Sequence, residues 1–149
     1  MTYVEAFEAL VAAIKRFEGC ELSAYRCPAG IWTIGYGETL GVKEGDVWTK
    51  EQADARLRVR VGQFLLAVLK RCPRLHLEPP ERWVACVDLA YNIGVGAFGA
   101  SSVCRKTNAG EFDAAARAFL LWNKAGGRVL KGLTLRREWD RETYQRVDA

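Results

Sequence analysis

Apolar residues recur every three or four positions through Phe7, Leu10, Val11, Ile14 and Phe17, which predicts an opening helix with one buried face. Thr2 and Glu5 stand three apart ahead of this run, the spacing at which a side chain and a backbone amide cap each other at a helix start. Gly19 follows the last periodic residue, where glycine reaches the left-handed backbone that ends helices, so Glu18 falls in the last turn. The period then changes. "AYRC", the turn "PAG" and "IWTIGYG" bracket a Pro/Gly turn with aromatic and β-branched residues and read as a hairpin, with a third short strand expected at Val47 or Trp48.

A second capping box, Thr49 with Gln52, precedes Ala53, Leu57, Val61, Phe64, Leu65 and Val68, which predicts a long helix ending near Cys72. Pro79 and Pro80 suit a first helical turn, and Trp83, Val84, Val87, Ala90 and Tyr91 supply the buried stripe behind them. "NIGVGAFG" reads as a turn-rich break. Shorter helices are expected around 101–106 and 111–122, "NKAGG" as an interruption, and a final helix from about Thr134 to Arg146.

This order, a small hairpin lobe and then helices, predicts an α+β fold rather than alternating βαβ units. The small lobe is expected at about 14–55 and the helical lobe at about 1–13 and 56–149, the long helix joining them. A cleft between lobes would place Glu18 beside the hairpin, and clefts of that kind commonly take substrates.

A chain of 149 residues, 50% hydrophobic and 27% charged, is long enough for one domain of this kind. Its net charge of +4 suits an anionic partner, nucleic acid or wall polymer, without choosing between them. Five cysteines, at 20, 27, 72, 86 and 104, are an odd set without a Cys-x-x-Cys pair, so free thiols in a reducing compartment are expected rather than a disulfide framework or a zinc site. The one histidine, His76, reads as a surface or turn residue; no metal and no cofactor are expected. Charges interrupt every apolar run before it reaches a membrane span, and the charged first helix is not a signal segment.

Phe17-Glu18-Gly19, "TIGYG" at 33–37, "YNIGVGAFGASS" at 91–102 and "WNKAGGRVLKGLTLRRE" at 122–138 resemble, in order and spacing, the phage-type lysozymes or endolysins of glycoside hydrolase family 24. The resemblance spans nearly the whole chain. It implies a lysozyme-like fold and hydrolysis of the β-1,4 bond between N-acetylmuramic acid and N-acetylglucosamine in peptidoglycan. The family carries a Glu, eight residues, an Asp, five residues and a Thr; here Glu18 and Thr33 fit, and Cys27 occupies the aspartate's place.

Cleaving a glycosidic bond takes a proton on the leaving oxygen and stabilisation of, or attack on, an oxocarbenium-like carbon from the other face. Glu18 is the candidate general acid. Cys27, as thiolate or polarised thiol, either holds the attacking water with Thr33 or attacks the sugar directly. A thiol, with an ordinary pKa of about 8.5, is less ionised than an aspartate at neutral pH, so Arg26 or a hydrogen bond from Thr33 would have to help. The resemblance further implies substrate contacts at Tyr91, Asn92 and Ser101, although Tyr91 also fits a buried stripe and Ser101 a helix N-cap. Of the paired arginines in "LRRE", Arg136 is the expected support for Glu18, with a solvated helix face as the rival reading.

Loss of the aspartate keeps two alternatives open: a lytic transglycosylase giving 1,6-anhydro products, and a catalytically weak wall-binding module. No base-reading motif accompanies the charge, so no nucleic-acid partner is expected. The resemblance implies a monomer without stable membrane insertion, held in the host cytoplasm until a holin opens the way to the wall.

Overall fold

The computed structural model describes residues 1–148. The chain divides into two compact units, Val11–Gly62 and Met1–Leu10 with Gln63–Ala149. The element order is α1 (Tyr3–Glu18), β1 (Glu21–Arg26), β2 (Trp32–Gly35), α2 (Lys50–Arg71), α3 (Pro80–Ile93), α4 (Val95–Ala100), α5 (Ser102–Asn108), α6 (Phe112–Ala118), β3 (Lys124–Ala125), β4 (Arg128–Val129) and α7 (Lys131–Gln145). Short 3-10 turns cover Pro73–Leu77, Phe119–Leu121 and Arg146–Asp148.

Both capping boxes form. Glu5 accepts the Thr2 amide at 2.7 Å and Thr2 accepts the Glu5 amide at 3.1 Å; Gln52 and Thr49 repeat the exchange at 2.8 and 3.1 Å. Each satisfies two amides that a helix start leaves without partners.

In the unit of Val11–Gly62, β1 and β2 pair antiparallel, Tyr25 opposite Thr33 and Arg26 opposite Trp32. The turn is closed by the Gly30 amide on the Cys27 carbonyl at 2.7 Å and the Cys27 amide on the Ile31 carbonyl at 3.0 Å. The expected third strand is reduced to a single bridge, Ser23 to Val47, because the chain turns at Trp48 to donate its amide to Leu22 and enters α2 within two residues. Val11, Ile14, Ile34, Leu57 and Val61 are among its buried apolar residues. Glu38 is buried too, held by Arg56 at 3.0 Å and Arg60 at 3.3 Å.

In the other unit α3 is buried from Arg82 to Ala90 and α7 packs along it. Charge enters this core only in paired form. Arg136 grips Asp88 with Nε at 3.1 Å and Nη2 at 2.8 Å, and Arg137 reaches Asp140 at 3.0 Å; all four residues are at most 4% exposed. Burial first, and then the neighbouring Asp88, pushes the Asp140 carboxyl well above the usual carboxylate range.

Two segments differ from the sequence expectation. The break after α3 is one residue, Gly94, with φ of 94°; positions 95–100 form α4 although the sequence there is glycine-rich. "NKAGG" is a two-residue-strand hairpin, with Gly126 and Gly127 both at positive φ between β3 and β4.

Candidate active site

Glu18 is the last residue of α1, and Gly19 stops the helix with φ of 68°, its amide still bonded to the Lys15 carbonyl at 3.0 Å. The carboxylate is half-buried there. The chain leaves α1 directly into β1, so the acid and the hairpin are joined by only two residues, Gly19 and Cys20.

On the hairpin, side chains alternate between faces, and the register puts Tyr25, Cys27, Ile31 and Thr33 on the same one. Cys27 and Thr33 are diagonal neighbours on that face. Thr33 is 4% exposed and its hydroxyl also donates to the Ile31 carbonyl at 2.9 Å. Cys27 is half-buried, with its thiol pulled below the ordinary thiol value, chiefly by the Ile31 backbone amide and further by the Ala29 amide and Thr33 hydroxyl. Backbone N–H groups aimed at a sulfur favour the thiolate, which is the help the sequence said this position needs.

Tyr25 is the residue the sequence reading passed over. Its phenol is pushed up, first by burial and then by the negative charge of Glu21, Cys27 and Glu18. It therefore lies in the field of both Glu18 and Cys27 and keeps its proton as a donor. Its position directly opposite Thr33 was the only available signal, and it depends on a register that an irregularity between Glu21 and Tyr25 shifts.

The glycines of "TIGYG" serve the backbone. Ile34 and Glu38 exchange amide bonds, both at 2.9 Å, around Gly35-Tyr36-Gly37. Gly35 sits at φ 65°, where a Cβ would meet Trp48 Cζ3 at 2.8 Å, so tight folding on Trp48 requires glycine there.

The remaining predicted residues belong to the helical unit. Tyr91 is half-buried, its ring 5.1 Å from that of Phe64. Asn92 accepts a bond from Arg137 Nη1 at 3.0 Å through Oδ1. Ser101, read both as a substrate contact and as a helix N-cap, caps α5: it is 4% exposed, accepts the Cys104 amide at 3.2 Å and donates to the Phe98 carbonyl at 2.6 Å. Arg136 gives Nε and Nη2 to Asp88, and Arg137 reaches Asn92. A helical pattern cannot choose between adjacent arginines that are both buried, at 4% and 0% exposure. Among the described residues no group of three or more His, Cys, Asp or Glu is placed to hold a metal ion.

The phage lysozyme family model matches residues 15–140. The chain is 40% identical over 136 residues to an endolysin of Acyrthosiphon pisum secondary endosymbiont phage 1, covering 89% of this chain and 92% of the relative. It is 38% identical over 141 residues to an endolysin of Bacillus phage B103, covering 92% of this chain but only 52% of that longer protein. Among solved structures, the muramidase domain of SpmX from Asticaccaulis excentricus superposes with a TM-score of 0.81 at 36% identity, covering 92% of this chain and 95% of the other. With Glu18, Cys27 and Thr33 all inside the matched segment, this chain belongs to the phage lysozyme family.

Proposed function

We infer that the chain is an endolysin, a glycoside hydrolase that cuts the β-1,4 bond between N-acetylmuramic acid and N-acetylglucosamine of peptidoglycan in host lysis. The observation that carries this reading is the placement of Glu18 at the end of α1, immediately before a hairpin face that presents Cys27 and Thr33.

Glu18 delivers the proton to the glycosidic oxygen as the bond to the anomeric carbon breaks. On the opposite face of the sugar, Cys27 and Thr33 hold the water that completes hydrolysis. Thr33 has one hydroxyl proton, donated to the Ile31 carbonyl while Cys27 is a thiol. When Cys27 ionises the proton turns to sulfur, and the Thr33 oxygen is then able to accept from a water that the thiolate also accepts from. This reading uses sulfur where the family's aspartate supplies an oxygen anion. Direct attack by Cys27 is the second reading, favoured by its lowered thiol, and it differs by leaving a glycosyl thioether that mass spectrometry of quenched enzyme detects. As the family resemblance implies, Arg136 is the residue proposed to support the acid. By family analogy the same reading includes a monomer that waits in the host cytoplasm and reaches the wall when a holin opens the inner membrane.

Clearing of outer-membrane-permeabilised Gram-negative cells tests the assignment. Glu18→Gln, which keeps shape but cannot donate the proton in the same way, is expected to slow clearing by about 10²–10⁴-fold with an unchanged Tm. Clearing at the parent rate by that variant ends the reading. Muropeptides released by the parent should carry reducing ends; products lighter by one water would make it a transglycosylase.

A further inference from the structure

We propose that Cys72 and Cys104, in the helical unit, are an oxidisable dithiol that a small peroxide closes to a disulfide. All five cysteines are present as thiols, but they are not alike. Cys20 and Cys27 are half-buried in the hairpin unit; Cys72, Cys86 and Cys104 are buried, at 0%, 0% and 2% exposure.

Cys72 and Cys104 face each other. Cys72 is the residue that follows α2, and Cys104 lies in the first turns of α5, which packs on the 3-10 turn beginning at Pro73. Each meets backbone at or next to the other: Cys104 Sγ is 3.4 Å from the carbonyl of Arg71, which precedes Cys72, and Cys72 Sγ is 3.9 Å from the Cys104 carbonyl. Asn108 Nδ2 bridges the same place, donating to the Arg71 carbonyl at 3.3 Å and to Cys104 Sγ at 3.8 Å. Two thiols, each seated against backbone at or beside the other cysteine, are placed to approach one another and bond.

The two thiols are also chemically unequal, which sets the order of events. The neighbouring Cys72 thiol holds Cys104 below the ordinary thiol value, and Arg71 and Arg105 add to this; Cys72 is pushed up, first by the neighbouring Cys104 and then by burial. Cys104 is therefore the attacking sulfur and Cys72 the resolving one. The Cys104 thiolate takes the distal oxygen of hydrogen peroxide, the O–O bond breaks, and hydroxide leaves and takes up a proton to become water. Cys72 sulfur then attacks the sulfenyl sulfur of Cys104, the S–S bond forms, the S–O bond breaks, and the thiol proton leaves with that oxygen as a second water. Two thiols are oxidised and one peroxide is reduced to two waters. Peroxide is little larger than water, so local opening of the seven-residue α5 suffices for entry, whereas a glutathione-sized oxidant is excluded. Cys86 is fully buried and its thiol is raised by burial, which leaves it outside the reaction.

The test treats the intact chain with equimolar hydrogen peroxide, blocks remaining thiols, and maps it by mass spectrometry without reductant. The expected product is a monomer that has lost two hydrogens and joins the tryptic peptide 72–74 to the peptide 83–105. Cys86 and Cys104 leave trypsin on that same larger peptide, so fragmentation must place the link at Cys104. Closing the long loop is expected to raise Tm by about 5–10 °C. In Cys72→Ser the link is lost and Cys104 is trapped by dimedone as a sulfenic acid. A link to Cys86, a disulfide between chains, or oxidation confined to Cys20 and Cys27 with Cys72 and Cys104 both still blockable overturns the proposal.

Discussion

Thr33 donates its hydroxyl to the Ile31 carbonyl at 2.9 Å, and that same carbonyl accepts the Cys27 amide at 3.0 Å. One oxygen thus fixes both partners of the hairpin face, and the Ile31 amide in turn is the largest cause of the lowered Cys27 thiol. Replacing Thr33 by Val keeps the β-branched shape and removes one donor to the thiolate. The Cys27 thiol should then titrate higher than in the parent, and its alkylation by iodoacetamide at neutral pH should slow, because the thiolate is the reacting form. Rates of Cys27 modification measured against pH by peptide mapping check this. An unchanged midpoint in Thr33→Val means the hydroxyl does not reach the sulfur.

Whether that sulfur matters to lysis is a separate question. Complete alkylation of Cys27 should abolish wall clearing, and Cys27→Asp, which restores the oxygen anion at this place, should preserve it. Clearing at full rate by protein shown to be modified at Cys27 removes the residue from the mechanism.

Arg137 Nη1 on Asn92 Oδ1 orients the amide and leaves Nδ2 as its donor. If, as the family resemblance implies, that donor meets substrate, Asn92→Ala should weaken binding by about 1 kcal/mol, several-fold in KM, with a smaller change in kcat. Initial clearing rates over a range of substrate densities separate the two. An effect confined to kcat would move Asn92 from binding to positioning.

These residues also mark what the sequence could and could not yield. The starts of α1 and α2 were legible because Thr2 with Glu5 and Thr49 with Gln52 act within three residues. The end of α1 at Gly19 was legible for the same local reason. What escaped depends on distant partners. α4 was hidden because Gly94, Gly96 and Gly99 suggest a break, whereas only Gly94 has a backbone that needs glycine; Gly99 instead makes room for Arg71, 2.8 Å from where its Cβ would be. Arg136 and Arg137 differ by one position, and which one grips Asp88 is settled by the packing of α7 on α3. Tyr25 escaped because its place opposite Thr33 depends on strand register.

Asp54 is pulled below the usual carboxylate range, first by its hydrogen bond from Lys15 and then by Arg58, with which it pairs at 2.9 Å. A carboxyl whose folded pKa is depressed adds stability above its unfolded pKa of about 3.9, and that contribution is lost as pH falls through the lower folded value. The side chain is 36% exposed, so solvent screens the pair to under about 1 kcal/mol. Asp54→Asn should therefore be slightly less stable than the parent near neutral pH, and the deficit should shrink as pH drops below about 4. Paired thermal melts at several pH values check the convergence; a deficit that grows on acidification contradicts it.

The buried pairs of α3 and α7 carry the larger stake. Asp88 takes both nitrogens of Arg136 at 0% exposure, so Asp88→Asn leaves a buried guanidinium without its counter-charge and should cost about 3–5 kcal/mol. Asp140 sits in the same network, yet burial and the Asp88 charge drive it toward the neutral acid. An amide is close in shape and charge to a neutral acid, and Arg137 keeps its bonds to Asn92 and toward Asp88 at 3.7 Å. Asp140→Asn should thus cost clearly less than Asp88→Asn, even though both remove one buried carboxylate from the same cluster. Urea unfolding with matched m-values measures the two differences on one scale. Equal losses would mean that Asp140 is ionised in the folded chain, and that Arg137 depends on its full charge.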